Sequence, residues 1–226
     1  MPNNLKENIK GEIISITFIL FIFILDIPFY RIKPEYSRKE IHIMLGNFYF
    51  IALLYFTEWY FACLGPFIFI FINYFSVKYQ LIKLMLRHEE SKNNLKIKKD
   101  YGTVYYAISL TILTIYSWKI NKPDIGLCPF LSMAYGDGLA CLMGGSIKSP
   151  FIIVFGSKKS LIGSFTMFLV NIFIYGIYFW YYNINMVIIK SLFMGLCSTI
   201  LEAFSPYGTD NLTVPLFNLF ILSFLI

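Results

Sequence analysis

The sequence predicts an all-α, polytopic membrane bundle of about seven or eight transmembrane helices, built as a single domain over residues 1–226. Two observations predict it. Hydrophobic residues make up 58% of the 226 and charged residues only 14%. The apolar residues also come in runs of roughly 15 to 20, long enough to cross a hydrocarbon core as helix and too long for a soluble core. The runs lie near 11–30, 41–57, 62–81, 103–118, 127–145, 162–181, 185–204 and 212–226, the last one short.

The first run exceeds the core of a signal peptide, and Asp26-Ile27-Pro28 replaces a small-residue cleavage pattern, so it is expected to stay in the mature chain. The second opens with Ser37-Arg38-Lys39-Glu40-Ile41-His42, where Arg38 and His42, four apart, share a helix face. After the third comes the longest polar segment, roughly 87–102, too short for a domain and read as a loop. Lys98-Lys99-Asp100-Tyr101-Gly102-Thr103 then leads into Val104-Tyr105-Tyr106, which by itself reads as a solvated charge run with an interfacial tyrosine belt. The fifth run contains Gly136-Asp137-Gly138, and Gly144-Gly145 end it before a loop with Lys148, Lys158, Lys159 and Ser160. The seventh still contains Glu202, and the turn Pro206-Tyr207-Gly208 precedes Asp210-Asn211 at the start of the eighth. Cys63, Cys128, Cys141 and Cys197 stand singly, as small apolar residues rather than a metal site or a disulfide framework.

The net charge of +6 does not point to nucleic acid, because no basic face interleaved with aromatics exists. It orients the chain instead. The loops at 31–40, 82–102, 146–161 and 205–211, with the nearby Lys78, carry most of the Lys and Arg: Arg31, Lys33, Arg38, Lys39, Lys83, Arg87, Lys92, Lys96, Lys98, Lys99, Lys148, Lys158 and Lys159. The opposite side has Lys6, Lys10, Lys119 and Lys122. By the positive-inside rule the first side is cytoplasmic and both termini lie outside. Every polar cluster of interest then falls at or near the cytoplasmic side, where nucleotides are available.

Asp137 is the sharpest functional signal. A carboxylate in hydrocarbon is costly, so one that persists binds a cation or moves a proton by default. Gly136 and Gly138 allow close backbone approach around it, and Glu202 brings a second carboxylate toward the same cavity. An acidic residue for magnesium and basic residues for phosphate are the parts that phosphoryl transfer needs. No GxxxxGK[ST], GxGxxG or HRD-type loop is present, so none of the soluble kinase classes applies.

The set Arg38-Lys39…His42, Tyr101-Gly102-Thr103…Tyr105-Tyr106, Gly136-Asp137-Gly138, Gly156…Lys159-Ser160…Gly163-Ser164 and Glu202…Pro206…Gly208…Asp210-Asn211-Leu212…Val214-Pro215-Leu216 resembles the CTP-dependent lipid-alcohol kinases. These comprise dolichol kinase, phytol kinase and the CTP-dependent diacylglycerol kinases. The match runs from about 37 to 216 and looks closest to the phytol kinase branch, chiefly through the Asp-Asn-Leu-Thr-Val-Pro-Leu ending.

The resemblance implies a multi-pass enzyme whose cytoplasm-facing site uses CTP and Mg2+, or another divalent cation, to phosphorylate the hydroxyl of an isoprenoid alcohol or diacylglycerol. It implies catalytic roles for Asp137, Arg38, Lys39 and His42. Nucleotide binding falls to Gly136, Gly138, Lys158, Lys159, Ser160, Asp210 and Asn211, and metal binding to Asp137 and Glu202. The general base is left among His42, Asp137 and Asp210. The segment between Gly145 and Gly156 is more apolar than this family's turn, so Lys148 is not assigned. Lipid cytidylyl transfer is the alternative, although the longer C-terminal signature of those enzymes is missing. A small cation- or proton-coupled transporter is the second alternative; it predicts ionisable groups along the whole membrane depth, whereas here they gather toward one face.

Overall fold

The computed structural model describes residues 2–91, 94–98, 100–155 and 157–226. Lys92, Lys99 and Gly156 lie outside the described residues. The chain is helical at every predicted span, in the order α1 (Pro2–Ile32), α2 (Pro34–Leu45), α3 (Phe48–Tyr55), α4 (Trp59–Tyr79), α5 (Gly102–Lys119), α6 (Leu127–Leu131), α7 (Gly138–Ser146), α8 (Leu161–Tyr181), α9 (Val187–Phe204) and α10 (Asp210–Leu225). A π-helical stretch, Ser132–Asp137, joins α6 to α7. Among the described residues, five helical segments are long and apolar enough to cross a membrane: 4–32, 59–79, 123–146, 161–181 and 187–204. The helix over 210–225 is apolar but shorter, and α5 dilutes its apolar residues with Ser, Thr and Tyr.

The second predicted span is not one helix. It divides into α2 and α3 around Gly46-Asn47. The Asn47 amide donates to the Met44 carbonyl at 3.1 Å and its oxygen accepts from the Tyr135 hydroxyl at 2.8 Å. A side chain that bonds its own preceding turn competes with helix continuation. The break lets α2 turn Arg38, Lys39 and His42 inward independently of α3.

The helices turn apolar side chains outward to lipid and pack polar and small residues together with apolar ones inside. On α9 the buried residues are Ser191, Met194, Gly195, Ser198 and Glu202, one helical stripe, while Ile188, Leu192, Leu196 and Ile200 are exposed. On α8 Met167, Asn171, Tyr175 and Phe179 face in, and Phe165, Leu169, Phe173 and Trp180 face out. Small and hydroxyl residues at the interfaces allow close approach and supply hydrogen bonds. The Asn218 amide donates to Ser132 Oγ at 2.9 Å and Ser198 Oγ at 2.8 Å, tying the π-helical stretch, α9 and α10 together. On α5 the Thr111 and Thr114 hydroxyls are satisfied within the helix, donating to the Ala107 and Leu110 carbonyls, both at 2.8 Å.

Two segments expected as loops are antiparallel hairpins: β1 (Arg87–Ser91) with β2 (Asn94–Lys98), and β3 (Phe151–Val154) with β4 (Ser157–Ser160). The apolar insert after Gly145 supplies β3, whose Phe-Ile-Ile-Val suits a strand. Val154 pairs with Ser157 and Phe151 with Ser160, and the residues of β4 border the cavity described below.

Candidate active site

The ends of α2, α7, α8, α9 and α10, the strand β4 and Asp100 just before α5 enclose a polar cavity of about 510 Å3. Its lining includes Arg38, Lys39, Asp100, Asp137, Lys158, Lys159, Ser160, Glu202, Asp210 and Asn211. Residues up to 173 positions apart in sequence therefore meet at one end of the bundle.

Asp137 sits at the last position of the π-helical stretch, buried. A π turn inserts one extra residue and shifts the face that follows, an irregularity frequent at functional sites. Here it leaves Asp137 facing α2, where its Oδ2 accepts from Lys39 Nζ at 2.5 Å and lies 3.6 Å from His42 Nε2. His42 Nε2 also lies 3.1 Å from the Met133 carbonyl oxygen. A carbonyl can only accept, so Nε2 carries the proton and His42 is a donor on this side. Tyr106 supports it from α5, its hydroxyl donating to the His42 carbonyl at 3.1 Å and its ring centroid 4.4 Å away.

Lys159 reaches in from β4. Its ammonium donates to Glu202 Oε1 and lies 3.7 Å from Asp210 Oδ2. Burial pushes this lysine's pKa down, but Glu202 and Asp210 outweigh burial and hold it above its ordinary value. It is charged at any physiological pH. Asp137, Glu202 and Asp210, all buried, offer carboxylate oxygens within 4.8 Å of one another. Clustered carboxylate oxygens are the donor type that a hard divalent cation takes, so these three residues are the ones that could hold one.

Around this centre runs a second pair. Arg38 Nη2 donates to Asp100 Oδ1 at 3.1 Å, and the same oxygen accepts from the Gly102 amide at 2.7 Å. Gly208, at φ +83°, closes over them: a Cβ there would lie 2.7 Å from Asp100 Oδ1 and 2.8 Å from Gly102 Cα. Positive φ and a backbone neighbour together explain why this turn takes glycine. Asn211 bonds the Gly208 carbonyl through its amide at 3.1 Å, and its Oδ1 is buried without a partner. Ser109 Oγ donates to the Asn211 carbonyl at 2.6 Å, anchoring α10 to α5.

The sequence-predicted residues are thus brought together unequally. Arg38, Lys39, Asp137, Lys159, Glu202, Asp210 and Asn211 line the cavity, with His42 directly behind Asp137. Ser160 lines it too, but its hydroxyl is engaged as the N-cap of α8, accepting from the Gly163 amide at 3.1 Å. Lys158 sits at the rim with its ammonium 3.7 Å from the centroid of the Phe151 ring. Gly136 and Gly138 do not line the cavity; Gly136 packs against Met167 and Asn171, and Gly138 against Ile43. Asp100, read from sequence as part of a solvated charge run, is buried and belongs to the site. Its only sequence signal was its position two residues before Gly102.

No family model matches the chain, and no solved structure matches it. Curated proteins do. The phytol kinase of Synechocystis sp. is 33% identical over 186 residues, 80% of this chain and 76% of that protein. Phytol kinase 1, chloroplastic, of Arabidopsis thaliana is 28% identical over 82% of this chain, and the chain spans 64% of it. Farnesol kinase, chloroplastic, of the same plant is 30% identical over 60% of this chain and 44% of its own length. With a buried acid–base cavity at one end of a membrane bundle and a relative of that identity and coverage, the chain belongs to the phytol kinase family of lipid-alcohol kinases.

Proposed function

We propose that the enzyme transfers the terminal phosphate of CTP to the hydroxyl of an isoprenoid alcohol, from a site that faces the cytoplasm. The observation that carries this reading is the interleaving of three buried carboxylates, Asp137, Glu202 and Asp210, with two ammonium groups, Lys39 and Lys159. A cation site beside fixed positive charge is what a transferring phosphoryl group needs. The relatives are named for phytol and farnesol, which supports an isoprenoid acceptor over diacylglycerol. The concentration of Lys and Arg on the loops of this end supports the cytoplasmic orientation.

Asp137, Glu202 and Asp210 would hold Mg2+, which when bound neutralises phosphate charge. Lys39, Lys159 and Arg38 are placed to stabilise the negative charge that builds on the transferred group. The lipid hydroxyl oxygen bonds to the terminal phosphorus, the bond to the β-phosphate oxygen breaks, and CDP leaves with that electron pair. The hydroxyl proton goes to Asp137 or Asp210, since His42 already carries a proton on the nitrogen that faces Asp137. His42 and Tyr106 act by holding Asp137.

The test is purified protein in lipid nanodiscs with magnesium, a panel of prenols, dolichols and diacylglycerol, and CTP or ATP labelled either on the terminal phosphate or on the base. Terminal-phosphate label from CTP entering a prenol supports the reading. Label entering lipid only from the cytidine ring marks a cytidylyltransferase, and transfer from ATP alone removes CTP as donor.

A further inference from the structure

The cavity at the end of the bundle is ionic in its depth and different at its mouth. Asp137, Glu202 and Asp210 are 5%, 6% and 8% exposed, whereas Tyr207, which lines the same cavity, is 60% exposed. Among the described residues of the lining it is the sole aromatic side chain, and apart from Ala140 and Cys141 the rest is glycine, hydroxyl, amide or charge. A triphosphate that reaches the buried carboxylates and ammonium groups must leave its sugar and base further out, where Tyr207 offers the one aromatic face.

The ring is held there against local preference. Tyr207 stands between Pro206 and Gly208 at φ +54°, a left-handed conformation that a bulky L residue seldom takes. Among the described non-glycine residues at positive φ, it is the one that lines the cavity. The turn has the contacts to impose it. The Thr209 amide donates to the Pro206 carbonyl at 3.0 Å and the Asn211 backbone amide to the Gly208 carbonyl at 3.3 Å, while Gly208 sits against Asp100 and Gly102. Strain of this kind persists where the surroundings over-determine it, and it gathers at active sites and ligand clamps. A tyrosine that only anchors the chain at the lipid interface needs no such backbone.

The turn also fixes the ring's place along the site. Tyr207 follows Glu202 by five residues and precedes Asp210 by three, so it is tied on both sides to carboxylates of the buried cluster.

We infer that Tyr207 is the stacking platform for the nucleobase of the phosphoryl donor. The inference rests on the kinase reading and deepens it. Every base has a π-face, so the ring contributes to nucleotide binding without choosing between cytosine and adenine.

The test is equilibrium binding of CDP and ADP, with magnesium, to the protein in nanodiscs, alongside inorganic triphosphate, which has no base. Removing a stacking ring weakens base binding by roughly 5- to 150-fold, the equivalent of about 1–3 kcal/mol, so Tyr207→Ala should lose at least about fivefold for both nucleotides. Inorganic triphosphate should bind wild type and Tyr207→Ala alike, and Tyr207→Phe, which keeps the ring, should bind CDP as wild type does. Tyr207→Gly separates stability from recognition: it relieves the left-handed strain, so it should melt above Tyr207→Ala while binding CDP no better. Equal losses for CDP and triphosphate would mean that the side chain only shapes the turn, and unchanged CDP binding with less inserted protein would return Tyr207 to the lipid interface; either result overturns the proposal, as does a wild type that binds neither nucleotide. Should the variants not fold, CTP with a photoreactive group on its base decides on wild type: label in the segment that holds Tyr207, suppressed by CDP, supports the platform, and label confined to other segments overturns it. Protein that binds nucleotide through Tyr207 yet phosphorylates no alcohol would sink the kinase reading and leave the platform standing.

Discussion

Lys158 and Lys159 are neighbours in sequence that the fold puts in different surroundings, and changing each to Gln separates phosphate binding from general basicity. The Lys159 side chain is 13% exposed and bonded to Glu202, whereas Lys158 is exposed and stacked on Phe151. A lost charge-assisted contact to phosphate is worth about 1.5–3 kcal/mol. At 1.4 kcal/mol per factor of ten, Lys159→Gln should raise the apparent CTP requirement roughly 10- to 150-fold. An exposed cation–π contact is worth about 0.5–1 kcal/mol, so Lys158→Gln should shift the requirement by less than about sixfold. The Lys159 change also leaves Glu202 and Asp210 without their ammonium, and breaking a buried pair destabilises by about 3–5 kcal/mol. The rate must therefore be taken per folded molecule. The double change Lys159→Gln with Glu202→Gln removes both charges and should recover much of the thermal stability without recovering CTP dependence. Equal shifts from the two lysines, or none from Lys159→Gln, would refute this assignment and move the phosphate site toward Arg38 and Lys39.

Gly208→Ala forces a Cβ onto a positive-φ residue and against Gly102 Cα; the φ strain alone costs about 1–2 kcal/mol, and the melting temperature in detergent should fall. Lys159 is held above its ordinary pKa, so the stability it contributes is complete below about pH 10 and lost only as pH rises through the raised value. The stability difference between wild type and Lys159→Gln should accordingly not fall between about pH 7 and 9, and a fall within that window would contradict the ion-pair account. For orientation, single cysteines in a cysteine-free background are the measure: one at Lys148 should resist an impermeant thiol reagent in intact cells and one at Lys122 should react, and the reverse pattern would place the cavity away from cytoplasmic nucleotide.

How much of this was legible in the sequence varies by residue. The positions of the helices follow from apolar runs, because lipid leaves the backbone few alternatives to helix. Asp137 and Glu202 announce themselves because an acid is expensive inside such a run. Asp100 did not, since it stands beside Lys98 and Lys99 and only the closure of Gly208 over Gly102 shows it to be buried. The break at Gly46-Asn47 was hidden within a run that is apolar on both sides; the turn-forming pair was there to read, but its partner Tyr135 is 88 residues away. The β3–β4 hairpin was signalled by its β-branched residues and masked by their hydrophobicity, which in this chain argues for helix almost everywhere else. Gly136 and Gly138 flank the key acid for reasons of packing against Met167 and Ile43, which spacing alone does not distinguish from ligand contact.

The account stands most directly on Asp137. Its carboxylate faces Lys39 and His42 and shares a centre with Glu202 and Asp210, and a neutral amide of the same shape removes the charge that the proposed cation and Lys39 would meet. The decisive measurement is transfer of terminal-phosphate label from CTP to a prenol by wild type and Asp137→Asn side by side, each normalised to correctly inserted protein. The account predicts labelled prenyl phosphate from the wild type and none from the variant; wild-type rates in Asp137→Asn would remove this carboxylate, and the site built around it, from the reaction.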